Sequence, residues 1–202
     1  MDDETAYQPG NPVLAASGLA FILTGCSGGG KSTLLRELAR RGYLVRPEAG
    51  RQIVREQLHI GGNGLPWTDA QRFVDLAASR TVHLYNTTMV ADGPVFFDRG
   101  LVDLTSFLEM QGFAVPDELK RAVQAYRYAR KVFVLPPWRA IYCDDGERRK
   151  SFEDACREYD ALIEGYRRLG HELIEVAHGT VAMRADFVLA NSSPGPSPGP
   201  LA

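Results

Sequence analysis

One glycine-rich octapeptide near the start of the chain reads Gly25-Cys26-Ser27-Gly28-Gly29-Gly30-Lys31-Ser32. Residues 19–24, directly before it, are apolar up to a final threonine and predict a buried strand. Residues 33–41, directly after it, are good helix formers with apolar side chains on one side. Glycines between a strand and a helix allow successive backbone N–H groups to converge on an anion at the helix N-terminus. The octapeptide therefore predicts a phosphate-binding loop.

The same octapeptide fits the pattern G-x-x-x-x-G-K-[ST] of the P-loop. In that pattern Lys31 reaches the outer phosphates of a nucleoside triphosphate, and the Ser32 hydroxyl is a ligand for Mg²⁺. We therefore expect ATP and Mg²⁺ as ligands. The expected nucleotide contacts are Gly25, Ser27, Gly28, Gly29, Gly30, Lys31, Ser32 and Thr33.

Cys26 lies inside this loop and has two interpretations. A local positive field can lower the pKa of a thiol and make it reactive. The alternative is a small side chain at a permissive loop position.

Composition limits the classes of protein that fit. A chain of 202 residues, 45% of them hydrophobic, can bury one substantial core. The net charge of −2 and the pI near 6.1 give no general attraction to nucleic acid or to an anionic membrane. The sequence has no apolar run of about 18 residues, the acidic N-terminus is unlike a signal peptide, and the three cysteines have no metal-like spacing. We expect a cytoplasmic protein.

Strand and helix patterns alternate between a polar, loose arm at 1–17 and a disordered Pro/Gly/Ser tail at 191–202. Thr68 and Gln71 predict a capping box that begins a long helix. Short apolar strands separated by helices predict an α/β fold of three layers, a five-stranded parallel sheet with helices on both faces, over residues 18–190. The predicted strands are 19–24, 43–46, 94–98, 131–135 and 171–176; further helices are predicted near 101–112 and 117–130, from 151 and from 180.

Ligands of such a sheet bind beyond the carboxyl ends of its strands, so the residues at those ends matter most. The strand at 94–98 ends in Asp98, and Arg99 follows it. The position of Asp98 resembles that of an acid that orients Mg²⁺ or accepts a proton. The alternative for Asp98 is a helix cap. Arg99 could clamp a phosphate of the substrate or be a surface cation.

The strand at 43–46 leads to Glu48 and Arg51. Glu48 could accept the proton of an attacking hydroxyl, and Arg51 could hold an anionic group of the substrate. The alternative is a helix N-terminus with Glu48 on its dipole and Arg51 in solvent.

Two further groups follow the later strands. The run 144–150 carries Arg148 and Arg149, whose guanidinium groups suit a lid that neutralises transferring phosphate; the alternative is a solvated charge run. His178 follows the last strand and could stack on a nucleobase or be an exposed loop histidine.

These elements resemble a known family, the AAA-type "predicted ATPase" group related to the ribosylnicotinamide kinase domain of the bacterial NAD-biosynthesis regulator. The resemblance covers residues 18–190 and implies a nucleoside- or nucleotide-kinase-like core with an Arg-bearing lid. It is carried by the octapeptide, Glu48-Ala49-Gly50-Arg51, Phe97-Asp98-Arg99-Gly100, Trp138 with Ile141 and Tyr142 leading to Glu147-Arg148-Arg149-Lys150-Ser151-Phe152, and Val181 with Arg184-Ala185-Asp186-Phe187-Val188.

Two functions fit these residues. The first is an ATP- and Mg²⁺-dependent kinase acting on a small hydroxyl-bearing metabolite, with a nucleoside-like compound as one candidate. Its expected catalytic residues are Lys31, Glu48, Asp98, Arg99, Arg148 and Arg149. The second is a nucleotide-dependent ATPase switch that regulates a partner protein.

Overall fold

The computed structural model describes residues 8–26, 28–89, 93–142 and 151–194. Its centre is a five-stranded sheet in the order β2-β3-β1-β4-β5, in which every neighbouring pair is parallel. The strands are β1 (Ala20–Gly25), β2 (Leu44–Arg46), β3 (Val95–Asp98), β4 (Lys131–Leu135) and β5 (Glu172–Glu175).

Helices connect the strands and cover both faces of the sheet. They are α1 (Pro12–Ser17), α2 (Lys31–Arg40), α3 (Ala49–Ile60), α4 (Ala70–Asn86), α5 (Leu101–Met110), α6 (Asp117–Ala125), α7 (Phe152–Arg168) and α8 (Val181–Asn191), with a 3₁₀ turn at Arg139–Ile141. Among the residues described, no helix combines the length and the hydrophobicity needed to cross a bilayer.

The alternation of side chains along β1 divides the core into two clusters. Ala20 and Ile22 pack in a cluster with α1, α3, α4, α5, α6 and α7, whereas Phe21 and Leu23 pack in a second cluster with α2 and α8. All six residues of β1 are buried because this strand lies in the middle of the sheet and is covered on both faces. The structure confirms the α/β class with a five-stranded parallel sheet between two helical layers.

The N-terminal arm differs from the expectation. Residues 12–17 form α1 instead of loose chain, because Asn11 caps the helix by accepting a hydrogen bond from the Leu14 N–H. Leu14 is fully buried and joins the larger core cluster. The six residues are too few to show a helical period in the sequence.

Element ends also differ from the predictions. The helix α4 begins after Asp69, whose carboxylate accepts from the Arg72 N–H, so Thr68 is not its cap. Residues 65–69 instead form a turn, in which the N–H groups of Thr68 and Asp69 donate to the Leu65 carbonyl. The helix predicted at 101–112 ends at 110, and the one predicted at 117–130 ends at 125.

The C-terminal tail begins later than predicted. Asn191 closes α8, and the buried Ser192 donates to the Val188 carbonyl at 2.6 Å. Residues 195–202 lie outside the described residues.

Candidate functional site

The octapeptide connects β1 to α2 at the carboxyl edge of the sheet. Gly25 ends β1 with a φ of +136°, and a Cβ at this position would overlap the Leu135 carbonyl oxygen at the end of β4. Glycine is therefore required at this position by both backbone conformation and space. Ser27, another predicted contact, lies outside the described residues.

The helix α2 begins at Lys31 without a side-chain cap on its N-cap residue, Gly30. The positive end of the helix dipole is thus directed to the loop, as in an anion site. Ser32 and Thr33 occupy the first turn, with Ser32 partly buried and Thr33 exposed. Gly28 and Gly29 complete the described part of the loop.

Lys31 forms a buried ion pair with Asp98. Its Nζ lies 2.5 Å from the Asp98 Oδ1, and the two side chains are only 7% and 8% exposed. Burial raises the pKa of Asp98, Lys31 opposes that change, and the charge of Glu48 adds to it. Asp98 does not cap α5: the N-cap is Gly100, whose N–H donates to Asp103 at 2.9 Å. The structure thus places the P-loop lysine in direct contact with the acid at the end of β3.

Arg99 joins three carboxylates from three different elements. Its Nε lies 3.3 Å from the Glu48 Oε1, its Nη1 3.1 Å from the Asp103 Oδ1 and its Nη2 3.1 Å from the Glu158 Oε1. These charges raise the pKa of Arg99 well above its usual value although burial opposes them. The interpretation of Arg99 as a surface cation is therefore wrong.

The backbone of Arg99 has a φ of +69°, in the left-handed region that non-glycine residues rarely adopt. Such a conformation costs about 1 kcal/mol or more and persists only where surrounding contacts impose it. The ion pairs of the guanidinium are those contacts.

Asp103 is the buried anchor of this arrangement. Its carboxylate accepts from the Thr24 hydroxyl at 2.5 Å, the Tyr166 hydroxyl at 2.6 Å and the Gly100 N–H. These bonds tie the end of β1 to the start of α5 and to α7. Buried carboxylates with several donors are held in one geometry. Asp103 thereby fixes the position of Arg99.

Glu48 is the residue before α3, and its side chain is directed to Arg99. Arg51, at 36% exposure, lies on the open side, with its Nε 3.7 Å from the Glu48 Oε2. The structure thus brings Glu48, Asp98, Arg99 and Lys31 together at one edge of the sheet, with Arg51 at the rim.

Glu158 and Asp103 were not predicted as members of this group. Asp103 had a local signal, because it lies four residues after Arg99 at the start of a helix. Glu158 had none, because it is 59 residues from Arg99 and meets it only through the packing of α7.

His178 lies on the other side of the loop and is exposed. Its ring stacks on that of Trp138, with centroids 4.6 Å apart and an interplanar angle of 8°. The two residues follow β5 and β4, which are adjacent strands. They form an aromatic stack at the same edge of the sheet.

Cys26 does not have the properties of a reactive thiol. It is buried, and desolvation together with the charge of Glu158 raises the pKa of the thiol to about 11. A raised pKa leaves less thiolate at neutral pH, so of the two interpretations of Cys26 the one with a lowered pKa is wrong.

The predicted lid cations Arg148 and Arg149 lie outside the described residues. The residues that could hold Mg²⁺ are described: the Ser32 hydroxyl and the Asp98 carboxylate are oxygen donors of the kind that this ion prefers. Mg²⁺ in phosphate-transfer sites takes one or two protein ligands and completes its shell with phosphate and water. This donor set fits the ion.

The 2-3-1-4-5 parallel sheet, the glycine loop after β1 and the acid at the end of β3 define a P-loop NTPase core. A model of a family described as an AAA domain, AAA_28, matches residues 20–184, and the chain belongs to this family.

Solved structures share the fold at low sequence identity. A structure of NadR protein in complex with NR is 15% identical over 88% of this chain, with a TM-score of 0.61; the chain spans 50% of that protein's length. Deoxyadenosine kinase from M. mycoides is 14% identical with a TM-score of 0.59, the match covering 85% of this chain and 97% of that one. Thymidylate kinase from Ehrlichia chaffeensis is 17% identical with a TM-score of 0.56, the match covering 87% and 98%. No curated protein sequence matches the chain.

These findings confirm the predicted resemblance to P-loop proteins with a nucleoside- or nucleotide-kinase-like fold.

Proposed function

We propose that the protein is an ATP- and Mg²⁺-dependent phosphotransferase acting on the hydroxyl of a small, nucleoside-like metabolite. The observation that carries this proposal is the order of groups outward from the loop: Lys31, then Asp98, then Glu48. They follow β1, β3 and β2, which are neighbours in that order in the sheet. One carboxylate next to the loop and a second one further out are suited to two substrates, the nucleotide and the acceptor.

Lys31 and the first turn of α2 serve the phosphate side. When ATP binds, the Lys31 ammonium group would leave Asp98 and bind the phosphate oxygens. The carboxylate and the phosphate are both anions, and a short movement of the Lys31 side chain would be enough to pass from one to the other. Asp98 and the Ser32 hydroxyl would hold Mg²⁺, which neutralises charge that develops on the phosphates.

Glu48 serves the acceptor side as general base. The acceptor oxygen bonds to the γ-phosphorus, the bond from that phosphorus to the β–γ bridging oxygen breaks, ADP leaves and the hydroxyl proton passes to Glu48. We favour Glu48 over Asp98 in this role because Asp98 lies next to the phosphate side, where it would hold Mg²⁺, whereas Glu48 lies further out from the loop. Arg99 holds the Glu48 carboxylate in place, and Arg51 at the rim would bind an anionic group of the acceptor.

The remaining predicted residues complete the proposal. His178 would stack on the nucleobase beside Trp138, since both rings lie at the binding edge of the sheet. Arg148 and Arg149 would neutralise the transferring phosphoryl group from a lid, a role that rests on the sequence pattern.

The relatives support the nucleoside-like class of acceptor. Two of them are named as kinases of deoxyadenosine and of thymidylate, and the deoxyadenosine kinase structure contains dCMP and dCDP as products. At 14% and 17% sequence identity, these two kinases share the fold with this chain. An experiment therefore has to identify the acceptor.

The test is incubation of the protein with Mg²⁺ and γ-labelled ATP against a pool of nucleosides, nucleoside monophosphates and other small hydroxyl compounds. We expect label on one compound or one narrow class, and no such label with Lys31→Ala. Label found only in inorganic phosphate, whatever is added, would overturn the kinase proposal. That outcome would favour the ATPase switch, and the search would move to a partner protein.

A further inference from the structure

A second buried arginine, Arg184 of α8, contacts the backbone of the phosphate-binding loop. It is 4% exposed, and its Nη2 donates to the Gly29 carbonyl oxygen at 3.0 Å. A Cβ on Gly30 would lie 2.7 Å from its Nη1. The guanidinium therefore packs against the backbone of the two residues that precede Lys31.

Arg184 has no carboxylate partner among the residues that the structure describes. Its Nε is buried and has no hydrogen-bond partner there, and its Cζ lies 5.6 Å from the centroid of the Trp138 ring. Burial lowers the pKa of this guanidinium, and within the described part of the chain no acid opposes that change. A buried cation with a carbonyl and an aromatic face as partners is costly unless an anion completes its surroundings.

Another arginine between α2 and α8, Arg41, shows how the charge of a guanidinium is usually neutralised. Arg41 has the same α8 segment as neighbour but pairs with Asp186 at 2.5 Å and with Glu37 at 2.8 Å. Its charge is neutralised at the surface, away from the loop. Arg184, which lies two residues before Asp186 in the sequence, has no such pair with any residue of the described ranges.

We infer that Arg184 is a positioning residue for the nucleotide: it holds Gly29 and Gly30 in the phosphate-binding conformation and leaves its charge for the phosphate chain of a nucleoside di- or triphosphate. Through its contact with the Trp138 ring, Arg184 also connects the loop to the aromatic stack of Trp138 and His178. The inference rests on the proposed nucleotide binding. It concerns the phosphate side of the site, because Arg184 contacts the backbone of the loop.

The test compares Arg184→Met, Arg184→Lys and the control Arg41→Met by calorimetric titration with Mg²⁺ and a non-hydrolysable ATP analogue. A charged hydrogen bond contributes about 10- to 100-fold in a binding constant, so we expect a loss in this range for Arg184→Met and a partial recovery for Arg184→Lys. Arg41→Met should bind as the wild type. In turnover assays the KM for ATP should rise while the KM for the acceptor stays unchanged.

Circular dichroism and thermal melting establish that each variant is folded before binding is compared. A folded Arg184→Met that binds the analogue as tightly as wild type would overturn the inference. If Arg184→Met does not fold, Arg184→Lys decides: we expect it to bind about 10-fold more weakly than wild type, and equal binding would contradict the role. Binding is measured without transfer, so a wild type that binds but transfers nothing would overturn the kinase proposal alone.

Discussion

The two halves of the candidate site are built in different ways. The phosphate side, whose described residues are 25–26 and 28–33 with Asp98, takes its shape mainly from backbone, through a glycine at a φ of +136° and an uncapped helix start. One buried ion pair adds to it. The acceptor side, Glu48, Arg51, Arg99, Asp103 and Glu158, takes its shape from side chains. Its residues come from the ends of β2 and β3 and from three helices, and Arg99 holds them together.

The two sides of the site should therefore respond differently to amino-acid substitution. A backbone-shaped site depends on a few glycines and keeps its geometry when most side chains change. A site shaped by ion pairs depends on every member, because removing one partner leaves the others buried and uncompensated. We therefore expect substitutions on the phosphate side, apart from those in the Lys31–Asp98 pair, to change chemistry, and those on the acceptor side to change both chemistry and stability.

The largest combined effect, on nucleotide binding and on turnover together, is expected for Lys31→Ala. Losing a group that stabilises charge on the transferring phosphoryl lowers a rate by about 100- to 1,000-fold, and the loss of nucleotide binding adds to this. Label transfer from γ-labelled ATP measures the result. The control Lys120→Ala removes an exposed cation that pairs only with Asp117 among the contacts described. Transfer at the wild-type rate in Lys31→Ala would remove the P-loop lysine from the mechanism.

Glu48→Gln tests the acceptor side alone. Removing a general base lowers turnover by about 100- to 10,000-fold, while the affinity for ATP should stay at the wild-type value because Glu48 lies beyond Asp98. Steady-state kinetics and a nucleotide titration give the two numbers. Glu56→Gln, at the exposed end of an ion pair with Arg80, is the matched control. Parallel losses of ATP binding and of turnover would exclude Glu48 as the base.

Arg99 tests whether side chains hold the acceptor side. Arg99→Ala leaves its carboxylates uncompensated and should lower the free energy of unfolding by about 3 kcal/mol in urea titrations. Arg99→Gly should be about 1 kcal/mol more stable than Arg99→Ala, since glycine accepts the φ of +69°. Arg80→Ala, which breaks a largely exposed pair, should cost about 0.5 kcal/mol. Equal stability of Arg99→Ala and Arg80→Ala would contradict the role of the cluster.

The smallest expected effect concerns the reactivity of the Cys26 thiol, which lies between the phosphate side and the acceptor side of the site. Because its pKa is raised from 9.0 to about 11, the thiolate fraction near neutral pH is lower by about 100-fold than for an ordinary cysteine. Alkylation followed by mass spectrometry should be slow at neutral pH and accelerate as the pH rises toward the raised pKa. Labelling of the folded protein as fast as a free thiol would show that Cys26 is accessible and ionised.

The fold was predictable because its signals are local. Each strand is a short apolar run, and the loop between β1 and α2 has a fixed spacing of glycines and lysine. The helix α1 was missed because its stability comes from the Asn11 cap and the burial of Leu14, and neither shows as a period in six residues. The start of α4 shifted by one residue because a turn occupies Thr68.

The site was predictable only in part, for the same reason. Strand ends place Asp98, Arg99 and Glu48 at one edge, as the rule for parallel sheets requires. Glu158 and Arg184 reach that edge from α7 and α8, and only the packing of those helices determines which of their residues face the loop. No spacing in the sequence contains that information.

The most direct test of the central claim is the rate of ADP release from ATP and Mg²⁺, with and without the pool of hydroxyl compounds. A site with separate phosphate and acceptor sides predicts slow release alone and a marked increase with one class of acceptor. That increase should disappear in Glu48→Gln. A rate that is the same with and without every acceptor would contradict the two-sided site and leave a nucleotide hydrolase.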